Sequence, residues 1–135
     1  MVEQDIDNLI QKAKEVCEKA YAPYSNFHVG CVLVSENNQL YSGCNIENIS
    51  FGLTICAERA AISKAISKEG SKFKIVKAVI FTPTQAPITP CGACRQVLKE
   101  FGDEFEVISV CNSNKVIRQS INELLPNSPA IKFKL

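Results

Sequence analysis

The sequence predicts an α/β sandwich built around a mixed sheet. Three observations predict it: an amphipathic helix opens the chain, two strand-like runs flanking a polar turn follow, and apolar β-branched runs then alternate with helical patterns. With 135 residues, the chain has the size of a single domain, spanning residues 1–135. A chain this long buries roughly two-thirds of its unfolded surface. It needs neither disulfides nor a metal merely to fold, so a metal-like cysteine pattern calls for another explanation.

From Ile6 the apolar positions Ile6, Leu9, Ile10, Ala13, Val16, Cys17 and Ala20 recur at three- and four-residue steps, with Lys12, Lys14, Glu15 and Lys19 outside the stripe. This predicts an amphipathic helix ending near Ala22-Pro23. Val29 to Val34 and Leu40 to Ile46 flank the polar turn Glu36-Asn-Asn-Gln39, as two antiparallel strands would. Cys56 to Lys68 reads as a second helix, with Gly70 placed to end it. Ile75 to Phe81 and Phe105 to Cys111 are β-branched and almost continuously apolar, as expected of strands covered on both faces. Between them Thr89-Pro90 suits the entrance of a third helix, Cys91 to Phe101, closed by Gly102. A short helix from Ser120 to Leu125 stops at Pro126, before a tail ending Ile131-Lys-Phe-Lys-Leu135. No internal repeat, low-complexity segment or linker interrupts this order.

Fifteen basic residues against 14 acidic ones leave a formal net charge of +1. That balance argues against a protein whose main work is electrostatic contact with nucleic acid or acidic lipid, and favours small neutral ligands. The seven cysteines are an odd number spread through the chain, so complete internal pairing is impossible and a reducing compartment is expected. The N-terminal segment Met1 to Glu15 carries charge at nearly every turn and shows no apolar signal-peptide core. No stretch approaches the roughly 20 apolar residues of a membrane span. A cytoplasmic protein without membrane contact is the expectation.

Two segments carry the chemistry: Thr54-Ile-Cys-Ala-Glu-Arg59 and Thr89-Pro-Cys-Gly-Ala-Cys-Arg-Gln96. Cys91 and Cys94 fall on one face at a helix start, where free N–H groups and the helix dipole favour thiolates. Cys56 also opens a helix. If the two helix starts meet, three thiolates converge and leave a fourth position open, the arrangement of a catalytic zinc site. Two other readings use some of the same residues: a closed zinc knot completed by another cysteine, and a redox dithiol at Cys91 and Cys94. A domain of this size does not require the first, and His28 is the only histidine; the second says nothing of Cys56-Ala-Glu58, whereas C-x-E followed by P-C-x-x-C is the signature of zinc-dependent nucleobase deaminases, here in all-cysteine form.

In these residues the chain resembles the cytidine deaminase family, specifically its short, single-domain, homotetrameric branch. The resemblance runs through Tyr21-Ala-Pro-Tyr-Ser-Asn-Phe-His-Val-Gly30, Gly43-Cys-Asn-Ile-Glu-Asn48, Cys56-Ala-Glu-Arg59, Pro90-Cys-Gly-Ala-Cys-Arg-Gln-Val97 and, more weakly, Glu123-Leu-Leu-Pro126. It implies a three-layer α/β/α sandwich with a five-stranded mixed sheet, one Zn²⁺ per chain held by Cys56, Cys91 and Cys94, and a nucleoside substrate. Glu58 would be the catalytic acid and base, moving protons from water to ring N3 and to the departing amine. Asn45 and Glu47 would bind the ribose 3′-hydroxyl and Phe27 would stack on the pyrimidine; the backbone groups of Ala57 and Thr89 would meet the base edge. Tyr24 and Phe51 would wall the pocket. Arg59 would hydrogen-bond ligand sulfurs and offset their charge.

Read without the family, an isolated Asn-Ile-Glu is a solvated strand-end turn, Phe27 is a core residue and Arg59 is a surface ion pair. Cys17, Cys31, Cys44 and Cys111 read as packing thiols, and His28 as a packed or hydrogen-bonded residue near the pocket mouth. The sequence departs from the family after Leu125-Pro126, where Asn127-Ser-Pro-Ala130 intervenes and Phe133 is the tail's one aromatic residue available to close a neighbouring subunit's pocket. A blasticidin-type deaminase, a nucleic-acid-editing deaminase and a zinc-bearing binding scaffold are the competing functions. An editing enzyme needs basic and aromatic strand-binding surface, which this charge balance does little to provide.

Overall fold

A computed structural model describes residues 5–129, so the tail with Phe133 lies outside the described residues. α1 (Ile6–Cys17) starts where the Asp5 side chain accepts from the N–H of Asp7, and buries Leu9, Ala13 and Cys17. It ends short of Ala22, unlike the periodicity reading. Past Cys17 the chain is drawn into backbone pairing: Tyr21 donates to the Asn45 carbonyl, and Glu47 donates back to the Tyr21 carbonyl. Tertiary hydrogen bonds outweigh local helical preference there.

β1 (Gly30–Ser35) and β2 (Leu40–Cys44) form the expected hairpin. Its turn places Asn38 at φ 60°, a conformation asparagine tolerates. After a single 3₁₀ turn (Phe51–Leu53), α2 (Ala57–Glu69) leads into β3 (Ile75–Phe81), α3 (Gly92–Lys99) and β4 (Glu106–Val110). β5 (Val116–Ser120) and α4 (Ile121–Leu124) complete the described chain. β5 is a strand that sequence periodicity did not reveal. It is an edge strand with one neighbour and exposed or half-buried residues throughout, so it lacks a strong apolar pattern.

The five strands form one sheet in the order β2-β1-β3-β4-β5. β3 and β4 are parallel and the other neighbours antiparallel, so the sheet is mixed. α1 covers one face, over Val32, Val34, Val79, Phe81, Ile108 and Val110. Ala61, Ile62 and Ala65 of α2, Leu98 of α3 and Ile121 of α4 pack on the opposite face with Leu33, Ala78, Ile80 and Val107. The result is the expected three-layer α/β/α sandwich.

One glycine sets the position of α2. A Cβ on Gly43 of β2 would lie 2.5 Å from the carbonyl oxygen of Ala57 and 2.4 Å from the nitrogen of Ala61. Only a residue without a side chain lets the helix backbone rest directly on the strand. This contact brings the first turn of α2, and Cys56 before it, against the sheet.

Candidate active site

Both cysteine segments are helix entrances. Cys56 is the N-cap of α2 and Cys91 the N-cap of α3. The Cys91 sulfur accepts from the N–H of Cys94 at 3.4 Å, so this cysteine fills the capping role that the sequence suggested for Thr89-Pro90. Thr89 serves elsewhere, its hydroxyl accepting from the Arg95 guanidinium at 2.9 Å.

The β3-α3-β4 crossover and the Gly43 contact bring the two entrances together. The sulfurs of Cys56, Cys91 and Cys94 all lie within 4.8 Å of one another. Thiolates sharing one tetrahedral zinc at ~2.3 Å stand about 3.8 Å apart, so the trio fits this ion with little adjustment. Among the described residues it is the one such ligand cluster.

The electrostatics also fit. Cys56 is pulled down to about 5, first by the hydrogen bond from the Cys94 thiol and then by Arg59; Cys94 is pushed up because it shares its proton with Cys56 and is buried. A cation entering the trio displaces that shared proton. Three thiolates around Zn²⁺ leave a formal charge of −1, and Arg59 offsets it: its Nη2 donates to the Cys56 sulfur at 3.4 Å and to the Thr54 carbonyl at 3.3 Å. Its Nε is buried without a hydrogen-bond partner among the described residues, so the guanidinium is held for its charge beside sulfur more than for a complete set of bonds.

Glu58 is one residue inside α2 and 4% exposed. Burial raises its pKa above the ordinary carboxylate range, and the Cys56 thiolate adds to the effect; hydrogen bonds from its own backbone N–H and from Cys94 offset part of it. A cavity of about 270 Å³ opens beside it. Cys56, Ala57, Glu58 and Cys91 line it, together with Phe27, Asn45 and Thr89. Cys94 is fully buried behind them.

Asn45 is buried and doubly engaged: its Oδ1 accepts from the N–H of Val29 at 2.8 Å and its Nδ2 donates to the carbonyl of Phe27 at 2.8 Å. Glu47, outside the lining, fastens the same loop. Its carboxylate accepts from the N–H groups of Tyr24 at 2.9 Å and Ser25 at 3.2 Å and from the Ser25 hydroxyl. Tyr24 and Phe51 also stand outside the lining, in edge-to-face contact with each other at 5.6 Å. His28 lines a different cleft, with Lys14, Cys17 and Glu18, and not the mouth of this cavity. Cys17, Cys31 and Cys111 are buried and Cys44 half-buried, as packing thiols are.

Several site residues escaped sequence reasoning. Ile80, Thr82 and Ile88 line the cavity but carry no motif. Arg95 braces the segment before α3: Nε donates to the Pro90 carbonyl at 2.7 Å, Nη1 to the Leu124 carbonyl at 3.0 Å and Nη2 to Thr89. Its signal was its place directly after Cys94, matching that of Arg59 after Glu58.

Comparison with known proteins agrees with this geometry. The family model described as the cytidine and deoxycytidylate deaminase zinc-binding region matches residues 3–111. The cytidine deaminase of Sporosarcina psychrophila is 41% identical over 92% of this chain and 90% of its own length. That of Halalkalibacterium halodurans is 42% identical over 92% and 93%. The crystal structure of cytidine deaminase from Burkholderia pseudomallei superposes with a TM-score of 0.86 at 40% identity, covering 93% of this chain and 99% of that one. Blasticidin-S deaminase from Bacillus cereus is more distant, at 27% identity over 92% and 91%. With the cysteine trio, the buried glutamate and the sheet order all in place, the chain belongs to the cytidine and deoxycytidylate deaminase family.

Proposed function

We propose that this protein is a zinc-dependent deaminase that hydrolyses cytidine and 2′-deoxycytidine to uridine and 2′-deoxyuridine, releasing ammonia. One observation carries the reading: a buried glutamate, Glu58, lines a cavity of about 270 Å³ together with Cys56 and Cys91 of a three-cysteine cluster. When bound to Cys56, Cys91 and Cys94, zinc supplies Lewis acidity that makes water a nucleophile at neutral pH. Glu58 takes one proton from the attacking water and delivers it to ring N3, then carries the water's second proton from the new C4 hydroxyl to the amine, so that the C4–N bond breaks, ammonia leaves and the C4 oxygen becomes the carbonyl of the product. The raised pKa of Glu58 matches a group that must both accept and donate.

Phe27 stacks on the pyrimidine, the N–H of Ala57 and the carbonyl of Thr89 meet the base edge, and Asn45 and Glu47 bind the ribose 3′-hydroxyl. Asn45 and Glu47 keep acceptor capacity beyond the loop bonds they already make. Because both sugars carry a 3′-hydroxyl, this clamp serves both substrates. Tyr24 and Phe51 wall the outer pocket. Ile49, Phe51 and Leu53 are 80%, 72% and 66% exposed; an apolar surface of this kind supports a homotetramer in which another copy covers it beside the site. The role in the cell is pyrimidine salvage in the cytoplasm, on free nucleosides without nucleic acid or membrane partners. No helix among the described residues is long and apolar enough to cross a membrane.

Metal analysis coupled to an ultraviolet assay with cytidine, deoxycytidine, blasticidin S and single-stranded oligonucleotides tests this reading. One zinc per chain with turnover of the two nucleosides is the expected result. Activity confined to oligonucleotides or to blasticidin S overturns it, and zinc without turnover makes the protein a scaffold.

A further inference from the structure

Thr82 follows the last residue of β3 and is 1% exposed, yet it lines the cavity together with Ile80 and Glu58. The direction of its hydroxyl proton follows from its neighbours. The Thr84 hydroxyl donates its single proton to the Ala86 carbonyl at 2.7 Å. Thr84 therefore only accepts from Thr82, 2.7 Å away, and the Thr82 proton is committed away from the cavity. What remains is an oxygen with free lone pairs on a buried residue of the cavity lining. An acceptor there favours a ligand that offers an N–H and disfavours one that offers a carbonyl, because two facing acceptors leave both unsatisfied.

We propose that Thr82, polarised by Thr84, is a specificity-determining acceptor that distinguishes a 4-amino pyrimidine from its 4-oxo counterpart. This rests on the deaminase reading, in which the reacting C4 edge enters toward Glu58 and the cysteines, which line the same cavity as Thr82. The amine of the substrate meets Thr82 favourably; the carbonyl of the product does not. Weak product retention is the consequence. Thr84 lies outside the cavity lining and acts as a positioning residue through the Thr82 hydroxyl.

The test is the ratio of the uridine inhibition constant to the cytidine KM, measured for the unaltered chain and for Thr84→Val, Thr82→Ser and Thr82→Val. Thr84→Val removes the outer acceptor, frees the Thr82 proton to turn inward, and lowers the ratio about tenfold. Thr82→Val lowers it as well, whereas Thr82→Ser, which keeps the hydroxyl, preserves it. A general packing defect changes kcat or stability without this pattern. An unchanged ratio in Thr84→Val, with cytidine still turned over, overturns the assignment; if Thr82→Val fails to fold, Thr84→Val alone decides. Absence of cytidine turnover by the unaltered chain contradicts the deaminase reading instead.

Discussion

The side-chain amide of Asn45 grips Phe27 by its backbone: Nδ2 donates to the Phe27 carbonyl at 2.8 Å while Oδ1 takes the N–H of Val29. The end of β2 thus sets the position of the aromatic ring across the cavity. Asn45→Ala removes two buried hydrogen bonds and destabilises the fold by about 1–3 kcal/mol. The cytidine KM rises at the same time. Urea unfolding and steady-state kinetics check the two effects separately, and an Asn45→Ala protein with unchanged KM removes Asn45 from substrate binding.

Glu47 makes the same loop pH-sensitive. The hydrogen bond from the Ser25 hydroxyl, with those from the Tyr24 and Ser25 N–H groups, lowers its pKa. A carboxylate with a lowered folded pKa contributes stability above its unfolded pKa and loses it as pH falls through the folded value. The amide resonances of Tyr24 and Ser25 therefore move together in an acid titration, with a midpoint below the ordinary glutamate range. In Glu47→Gln this titration disappears; its persistence there assigns it to another group.

Arg59 is expected to act on the metal more than on the fold. Arg59→Ala leaves the charge of three thiolates less compensated and weakens zinc retention by about tenfold or more. Competition with a chromophoric chelator measures it. Unchanged zinc affinity and unchanged turnover together eliminate the charge-offsetting role.

Gly43 links packing to the metal site. A methyl group at this position collides with the α2 backbone at Ala57 and Ala61, so Gly43→Ala pushes the first turn of the helix away from β2. The strain costs roughly 1–3 kcal/mol, and Cys56 leaves the other two sulfurs. Reduced zinc content alongside a lowered unfolding midpoint is the expected pair of results. Full zinc occupancy in Gly43→Ala shows that α2 accommodates the methyl without moving Cys56.

Elements buried on a periodic face were legible in the sequence: α1, the hairpin, α2, β3, α3 and β4 all appear close to their expected places. β5 was not, because an exposed edge strand has little apolar pattern to read. α1 and α3 end earlier than their periodicity predicts where bonds with distant residues take over the backbone: Tyr21 donates to the Asn45 carbonyl, and Ile75 donates to the Phe101 carbonyl. The same limit applies to the site. Cys56, Glu58, Cys91 and Cys94 were legible because reactive side chains at helix entrances form a motif. Thr82 carries no motif and owes its place in the cavity lining to the fold, as Arg95 owes it the bond to the Leu124 carbonyl, and the grip of Asn45 on the Phe27 backbone is likewise invisible in the chain order.

In the proposed reaction Glu58 moves protons beside a zinc held by three cysteines without itself holding the metal. Zinc content and cytidine turnover, measured together on the unaltered chain and on Glu58→Gln, test it most directly. One zinc per chain is expected in both proteins, with a loss of turnover on the order of 10³-fold or more in Glu58→Gln. A Glu58→Gln protein that keeps its zinc and deaminates cytidine at the unaltered rate contradicts it.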